Sequence, residues 1–248
     1  MSELGDLVSL GPLPGLVSST PTSSLDLRTH NYAVERTTAD AHGDKWFQLT
    51  PQGVIDRKEH PHDNESAEAM NQYVSQIADL TPRPSAVPHH DWESIEENHE
   101  LSLPTDYREL VDSFGGGVFD GYLWFLEPDC RNRHYDLAAN IDERVESLEY
   151  LWESGEPKPP AVAEPKSRLI PWASTDNGEF FYWLAKEGQA PDLWQVLINE
   201  ARGEDWEHYA IGCAQLLAEL LSGRIQSELL SSSFPKSEHT FQSSAEFI

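Results

Sequence analysis

Two histidine clusters are the residues of this sequence best suited to binding a metal ion. They read His60-Pro61-His62-Asp63 and His89-His90-Asp91. A zinc hydrolase of the zincin type places two histidines four residues apart on one helix face. Neither cluster has that spacing, and nearby prolines place both in predicted loops. We interpret both as solvated loops and predict no metal site; a hydrolase that uses these histidines is the alternative.

Paired carboxylates offer a second kind of chemistry, general acid–base catalysis. Glu96-Glu97 and Asp142-Glu143 fall on predicted helices, opposite their apolar stripes. Acid–base catalysis needs a carboxyl group in a shielded cleft, where its pKa is shifted, so solvated pairs are poor candidates. Gly115-Gly116-Gly117 follows a helix and carries no lysine, which favours a helix C-cap over a phosphate loop. The sequence therefore predicts no catalytic residue, no cofactor and no enzyme.

The charge balance indicates a class of partner. The chain of 248 residues has 43 acidic and 17 basic residues and a formal net charge of -26. Such a surface repels phosphate backbones and anionic membranes, so we expect no direct nucleic-acid or membrane binding. It attracts a protein with a basic surface. Residues 91–156 hold 18 acidic and 4 basic residues, so this stretch carries more than half of the excess charge.

The two cysteines and the lack of targeting signals indicate a compartment. Cys130 and Cys213 give neither a disulfide framework nor a zinc signature, and they suit a reducing compartment. The N-terminus lacks the basic and apolar regions of a secretory signal, and no apolar run is long enough for a transmembrane helix. We expect a cytoplasmic protein.

The first third of the chain carries weak structural signals. Residues 1–24 are rich in Gly, Pro, Ser and Thr and are predicted to be a flexible leader. Residues 25–88 are predicted to be an accessory segment, with short strands at 45–49 and 53–56, a helix at 67–80 and a proline-rich linker. Whether this segment packs on the rest of the chain is left open.

The remainder has clear local signals for helices and strands. Tyr107, Leu110, Val111 and Phe114 form the apolar stripe of a helix whose first position is Pro104. Short turns such as Asp120-Gly121 make sequential strands antiparallel neighbours. The order predicts an α+β domain with a mainly antiparallel central sheet flanked by helices, plus an N-terminal accessory segment and flexible ends. Three other helices are predicted: a short one that begins after an Asp91 N-cap, one at 137–152 and one at 209–221. The predicted strands are 118–119, 122–126, 169–173, 179–184 and 193–198.

The order of motifs at residues 92–128 and 169–221 resembles the SUKH superfamily. That family begins with a Trp on a short helix, an LP-x-x-Y turn into a second helix, a Gly-rich break and an aromatic strand. A P-[FW]-A strand, a D-x-G turn, further strands and a closing helix follow. The glycine that usually precedes LP is absent, and residues 25–85 have no counterpart in the family. The matching residues are Trp92, Leu103-Pro104-Thr105-Asp106-Tyr107, Phe114-Gly115-Gly116, 122–128, Pro171-Trp172-Ala173, Asp176-Asn177-Gly178, 180–183, 194–198 and 206–221.

The SUKH superfamily includes bacterial immunity proteins of polymorphic toxin systems and yeast regulators of cell-wall synthesis. The resemblance implies a SUKH-like domain at residues 89–228, followed by a tail at 229–248. It also implies a protein-binding role with no catalytic centre: an immunity protein that neutralises a cognate polymorphic toxin, such as a nuclease or nucleic-acid deaminase, by occlusion. A non-enzymatic regulatory scaffold in cell-wall or signalling control is the alternative.

The acidic stretch predicts where that partner binds. A toxin that acts on nucleic acid has a basic groove, which an acidic surface can occupy. We expect exposed carboxylates around one or two aromatic anchors. The candidate partner-binding residues are Glu93, Glu96, Glu97, Asp106, Glu109, Asp112, Asp120, Glu127 and Asp129, with Tyr122 or Trp124 as the anchor.

Overall fold

The structure is a computed structural model, and its described part is an α+β domain, as predicted. The predicted leader, the predicted strand at 53–56 and the cluster His60-Pro61-His62 lie outside the described residues. Side chains are described from residue 72 onward. The described residues are 32–37, 46–51, 63–200 and 204–247.

One sheet of nine strands lies at the centre of the described part. The strands lie in the order β1-β2-β8-β7-β6-β5-β4-β3-β9. All neighbours are antiparallel except β2 and β8, which pair in parallel, so the prediction of a mainly antiparallel sheet is confirmed. The strands are β1 (Tyr32–Thr37), β2 (Trp46–Pro51), β3 (Gly117–Phe119), β4 (Leu123–Phe125), β5 (Ser167–Thr175), β6 (Phe180–Lys186), β7 (Gln195–Asn199), β8 (Trp206–Tyr209) and β9 (Phe241–Ser243).

Helices cover both faces of this sheet. On one face, α1, α3 and α6 contact one another, and α2 packs beside them. On the other face, α4 and α5 contact β5. The helices are α1 (Asp63–Leu80), α2 (Trp92–His99), α3 (Thr105–Phe114), α4 (Leu137–Glu153), α5 (Pro160–Ala163) and α6 (Cys213–Leu221).

The central strands are buried on both faces, which explains their continuous apolar runs. In β6, Phe181 and Trp183 belong to the large core beneath α1, α3 and α6. Tyr182 and Leu184, which alternate with them, belong to a smaller core beneath α4 and α5. All four are at most 2% exposed. Because aromatic side chains each bury a large apolar area, this double-sided packing anchors the helices to the sheet.

The apolar stripe predicted for α3 is its buried face. Tyr107, Leu110, Val111 and Phe114 are each no more than 1% exposed. Pro104 stands at the N-cap, one position before the predicted one. The predicted helix is therefore confirmed, with its start displaced by one residue.

The predicted Asp120-Gly121 turn joins β3 to β4. Asp120 has φ 56° and Gly121 has φ 63°, both in the left-handed region that a type I′ hairpin turn requires. Val118 lies opposite Trp124 across the hairpin. The turn prediction is confirmed.

Part of the predicted accessory segment completes the sheet and the large core. The predicted strand at 45–49 is β2, whose Gln48 lies opposite His208 of β8. The predicted helix at 67–80 is α1, which begins four residues earlier. Val74 and Ile77 of α1, 6% and 0% exposed, pack in the large core. The strand β1, which pairs with β2, was not predicted.

The helix predicted at 209–221 is wrong at its N-terminal end. Residues Trp206–Tyr209 form β8, and α6 begins at Cys213. Tyr209 has the right spacing for the apolar face of α6, but it lies in the sheet opposite Val196 and is 4% exposed. Spacing alone could not separate the two alternatives, because a buried aromatic residue suits either element.

The prediction that residues 229–248 form a tail is wrong for the residues described. The strand β9 pairs with β3, and the Phe241 ring lies 4.7 Å from the Phe119 ring, centroid to centroid. Phe234 is also buried, at 9% exposed. This segment contains isolated apolar residues among serines, so its sequence has no periodic pattern. Each apolar residue instead fills a site provided by the folded domain.

Candidate protein-binding surface

The helix α2 holds two carboxylates in solvent. The Asp91 side chain caps the helix by accepting a hydrogen bond from the Ser94 amide at 3.4 Å. Ile95, 6% exposed, anchors α2 in the large core. Glu93 and Glu97 are exposed. The local sequence therefore fixes both the start of the helix and the face that it turns to solvent.

The helix α3 adds a third exposed carboxylate beside α2. The Trp92 indole Nε1 donates to both carboxylate oxygens of Asp112, at 3.1 and 3.0 Å, which ties α2 to α3. The Asp112 side chain is still 50% exposed. Glu96 is half-buried and accepts a backbone hydrogen bond at 2.8 Å. Burial and the nearby Asp106 charge raise the pKa of the half-buried Glu109.

Glu93, Glu97 and Asp112 form what we call the α2–α3 surface. The Trp92–Asp112 hydrogen bond joins its two helices. The nearby cation Arg108 already contacts other side chains of the domain. The Arg108 guanidinium lies 3.7 Å from Glu96 and donates to a threonine hydroxyl at 3.2 Å. The three exposed carboxylates can therefore offer their charge to a partner.

Asp106, predicted to bind the partner, is buried, with 5% of its surface exposed. Its carboxylate accepts hydrogen bonds from the Ala214 amide at 3.0 Å and the Cys213 thiol at 3.3 Å. Burial raises the pKa of this carboxyl group. The expectation that Asp106 is exposed is wrong because the first turn of α3 packs against the first turn of α6. The Asp106 carboxylate joins these two turns.

Asp120 is buried as well, at 1% exposed. Its carboxylate accepts hydrogen bonds from the Lys236 amide at 3.0 Å and the Thr240 amide at 2.9 Å. The His239 Nδ1 atom lies 2.9 Å from the same carboxylate. The expectation that Asp120 is exposed is wrong because residues 236–240 cover the β3–β4 turn.

The two candidate anchors are both engaged within the domain. Tyr122 is 9% exposed and donates its hydroxyl hydrogen to Glu179 at 3.1 Å, so the expectation that it is an exposed anchor is wrong. Trp124 is half-buried. Its Nε1 donates to Asp176 at 2.5 Å and its ring stacks on Tyr135 at 4.3 Å. Trp124 therefore presents only part of its ring to a partner.

Glu127 lies in a buried network with His90. These residues are 5% and 8% exposed, and His90 Nε2 lies 3.2 Å from a Glu127 oxygen. The Ser244 hydroxyl donates to the other oxygen at 2.9 Å. Burial by itself raises the pKa of Glu127, but hydrogen bonds from His90, Ser244 and the Gly116 amide outweigh it, so the pKa is lowered. The expectations that Glu127 is exposed and that His90 lies in a solvated loop are both wrong.

The predicted partner-binding residues thus divide into two groups. Asp129 stays at the surface, with its side chain 62% exposed and 3.1 Å from His99. The residues with exposed or half-buried side chains are Glu93, Glu96, Glu97, Glu109, Asp112, Trp124 and Asp129. The buried residues are Asp106, Asp120, Tyr122 and Glu127.

A known protein family includes the helices that carry this surface. Residues 89–211 match the family model SUKH_6, described as SMI1-KNR4 cell-wall. These residues belong to the SUKH family. The match confirms the resemblance seen in the motifs, and it runs from the residue before His90 to Ile211, which precedes α6. A search of curated proteins and a search of solved structures each gave no match.

The histidines, cysteines and carboxylates of the described residues are poorly placed for metal or thiol chemistry. Among the described residues, no three His, Cys, Asp or Glu side chains converge to hold a metal ion. Cys130 and Cys213 are free thiols, and burial raises the pKa of both. A raised pKa keeps a thiol protonated, whereas a nucleophilic cysteine needs a lowered one.

Across the described residues, no helix has both the length and the apolar character needed to cross a membrane.

Sequence reasoning missed two features, one inside the SUKH region and one after it. The first is the exposed face of α4, where the sequence predicts only a solvated Asp142-Glu143 pair. The spacing of the acidic residues in α4 was a usable signal. The other is the C-terminal segment, which covers Asp120 and Glu127. Nothing local in the sequence could have revealed that second feature, because its partners lie more than 100 residues away.

Proposed function

We propose that this protein is an immunity protein that binds one cognate toxin and neutralises it by covering its active surface. The observation that carries the proposal is the SUKH domain at residues 89–211, whose helices α2 and α3 present exposed carboxylates. SUKH proteins are generally immunity proteins that act by binding. The α2–α3 surface supplies this domain with charge for a basic partner.

Electrostatics supports a toxin that acts on nucleic acid. Such a toxin needs a basic groove for its substrate, and phosphate contacts supply much of its substrate affinity. A protein of net charge -26 competes for that groove and is drawn to it at long range. Occlusion of the groove blocks the toxin without any change to its catalytic residues.

The proposed mechanism involves no chemistry by this protein. The buried carboxylates Asp106, Asp120 and Glu127 have their hydrogen-bonding capacity used within the fold. We propose that the protein acts in the cytoplasm, where a nucleic-acid toxin meets its substrate. The two free cysteines fit a reducing compartment.

A regulatory scaffold is the second candidate, because the matched family is described by a cell-wall protein. The two candidates differ in what the partner does. An immunity protein protects a cell from a toxin, whereas a scaffold changes cell-wall or signalling control when it is removed.

Co-expression with candidate toxins, taken from the genes that flank this one, tests the proposal. We expect the wild-type protein to restore growth of cells that make the toxin. Glu93→Gln, Glu97→Gln and Asp112→Asn combined should weaken this rescue, since they neutralise the α2–α3 surface. The amide oxygen that Asp112→Asn leaves can still accept one hydrogen bond from Trp92.

The control combines Glu204→Gln, Asp205→Asn and Glu238→Gln, three exposed carboxylates outside α2 and α3, and changes net charge equally. This control should protect as well as the wild type. Failure of the wild-type protein to protect against any neighbouring toxin would remove the immunity hypothesis and favour the scaffold.

A further inference from the structure

The helix α4 exposes a face that no described part of the domain covers. Two of the four large apolar side chains that are exposed in the described residues lie on it, Tyr150 at 70% and Val145 at 39%. Tyr150 is the more exposed of the two and the most exposed of the four. All acidic residues of α4 are exposed as well: Asp142, Glu143, Glu146, Glu149 and Glu153.

Packing beneath α4 leaves the carboxylates as the only charged groups on its exposed face. Leu137 and Leu148 are each 3% exposed and fix the helix to the domain. Arg144, the only cation of α4, lies on the inner side. Its guanidinium donates to the Tyr182 hydroxyl at 3.1 and 3.0 Å and lies 4.1 Å from the centre of the Phe180 ring. None of the five carboxylates makes an ion pair or side-chain hydrogen bond with a described residue.

The carboxylates of α4 are arranged in a way that disfavours the helix in isolation. Asp142 and Glu146, like Glu149 and Glu153, stand four residues apart, where like charges destabilise a helix. The last turn carries no basic residue, although cations favour a helix C-terminus. A purely structural helix gains nothing from this pattern. A cationic partner would neutralise it.

The exposed aromatic ring supplies the apolar part of a contact. Tyrosine is enriched among the residues that dominate binding energy at protein interfaces, where it fills a pocket while its hydroxyl stays in contact with water or a polar group. Tyr150 stands among the carboxylates of α4 with Glu146 one turn before it and Glu153 three residues after it. This combination suits a groove that has cations on its walls and an apolar socket in its floor.

We propose that the exposed face of α4 is the surface that enters the basic groove of the toxin, with Tyr150 as its aromatic anchor. This inference rests on the proposed function and specifies the partner: a protein groove lined by lysine and arginine around an apolar socket. A helix of this length extends about 25 Å, enough to lie along such a groove. A second copy of this chain is a poor occupant, because two faces of the same charge repel each other.

The first turns of α4 lie beside α2. A small apolar cleft separates the two helices, lined by Ile95 and His99 of α2 and by Leu137 and Ile141 of α4. One partner can therefore contact both helices at once.

The test measures binding of the full chain to a purified toxin from the genes that flank this one, with the toxin's activity blocked by mutation. We expect Tyr150→Ala to raise Kd by about 30-fold or more, as loss of an aromatic anchor does. Glu146→Gln, Glu149→Gln and Glu153→Gln combined should raise Kd by about 10-fold at low salt and less in 0.5 M NaCl, where exposed charges are screened.

Two controls separate a specific contact from a general one. Leu193→Ala removes a similarly exposed apolar side chain outside α4, 64% exposed against 70% for Tyr150. The triple variant Glu204→Gln, Asp205→Asn, Glu238→Gln matches the charge change. Both controls should leave Kd within about twofold. Thermal unfolding of the two controls and of Tyr150→Ala should match the wild type, because these side chains are exposed. The variant with Glu146→Gln, Glu149→Gln and Glu153→Gln should be as stable as the wild type or slightly more stable, because it removes the repulsion between like charges in α4.

The outcomes distinguish this inference from the proposed function. Tight wild-type binding that survives both α4 variants would overturn the role of α4 and leave the immunity function in place. No binding by the wild type to a toxin would overturn both. A wild-type dimer in analytical ultracentrifugation that Tyr150→Ala dissociates would show that a second copy covers this face, which also overturns the inference.

Discussion

Three buried carboxylates connect parts of this chain that lie far apart in sequence. Asp106 bonds to the start of α6, Asp120 to residues 236–240, and Glu127 to His90 and Ser244. Each carboxylate accepts hydrogen bonds that a neutral side chain at the same position could form only in part. Each therefore fixes the position of the distant segment that donates to it. Truncating a buried carboxylate leaves its donors without partners, which costs more than the net value of the bonds.

The contribution of Asp120 can be isolated by comparison with Asp129. Both residues have a left-handed backbone, with φ 56° and 57°, but Asp120 is buried and Asp129 is exposed. We expect Asp120→Ala to lower the free energy of unfolding by about 3 kcal/mol, because three donors lose their acceptor. Asp129→Ala should lower the free energy of unfolding by about 1 kcal/mol, because alanine is disfavoured in the left-handed region. This backbone cost is the same in both variants. Urea denaturation measures the difference, and equal losses would contradict the role of Asp120.

Glu127 makes part of the stability depend on pH. Its pKa is lowered in the folded state, so its stabilising contribution is complete above the ordinary glutamate pKa and is lost as pH falls through the lowered value. We expect Glu127→Gln to destabilise the domain by about 1–2 kcal/mol at pH 7 and by progressively less as the pH falls below 4. Denaturant titrations of both proteins from pH 7 to 3 test this. A difference that stays constant over that range would show that the charge of Glu127 is unimportant.

Residue types alone could not predict which acidic residues are exposed. Glu93 and Asp106 each stand in the first turn of a helix, yet one is exposed and the other buried. The difference arises from α6, which approaches α3 at Asp106 and leaves the start of α2 free. The periodicity of a helix identifies the face that packs on the sheet. It carries no information about another helix that packs against its flank.

At the scale of elements, α1 is an integral part of the core. Ile77 is fully buried in the core that α1 shares with α3 and α6, whereas Ser75 on the same helix is exposed. We expect Ile77→Ala to lower the free energy of unfolding by about 3 kcal/mol through lost burial and a residual cavity. Ser75→Ala should change it by less than about 0.5 kcal/mol. Urea denaturation distinguishes an integral α1 from an appendage, for which Ile77→Ala would have no effect.

Elements with local signals could be predicted from the sequence. The stripe of α3 follows from helical periodicity, and the β3–β4 turn follows from the conformational needs of Asp120-Gly121. The parallel pairing of β2 with β8 and the pairing of β9 with β3 could not be predicted. Both join segments distant in sequence, and each depends on a sheet edge that exists only after the rest of the sheet has formed.

At the scale of the molecule, charge should govern how fast the partner arrives. The net charge of -26 includes the exposed carboxylates of α2, α3 and α4. We expect the association rate constant with a basic toxin to fall by about 10-fold or more between 0.05 and 0.5 M NaCl, with a smaller change in the dissociation rate. Stopped-flow fluorescence measures both. An association rate that does not depend on salt would show that steering plays no part.

The pairing of β9 with β3 has a consequence for the timing of synthesis. The Thr240 amide bonds to Asp120, 120 residues earlier in the chain. At ribosomal rates of about 5–20 residues per second, the β3–β4 hairpin waits about 6–24 s for its covering strand. Under the proposed immunity function, a cell that begins to make this protein and a cognate toxin at the same time would be unprotected during that interval unless the toxin matures more slowly.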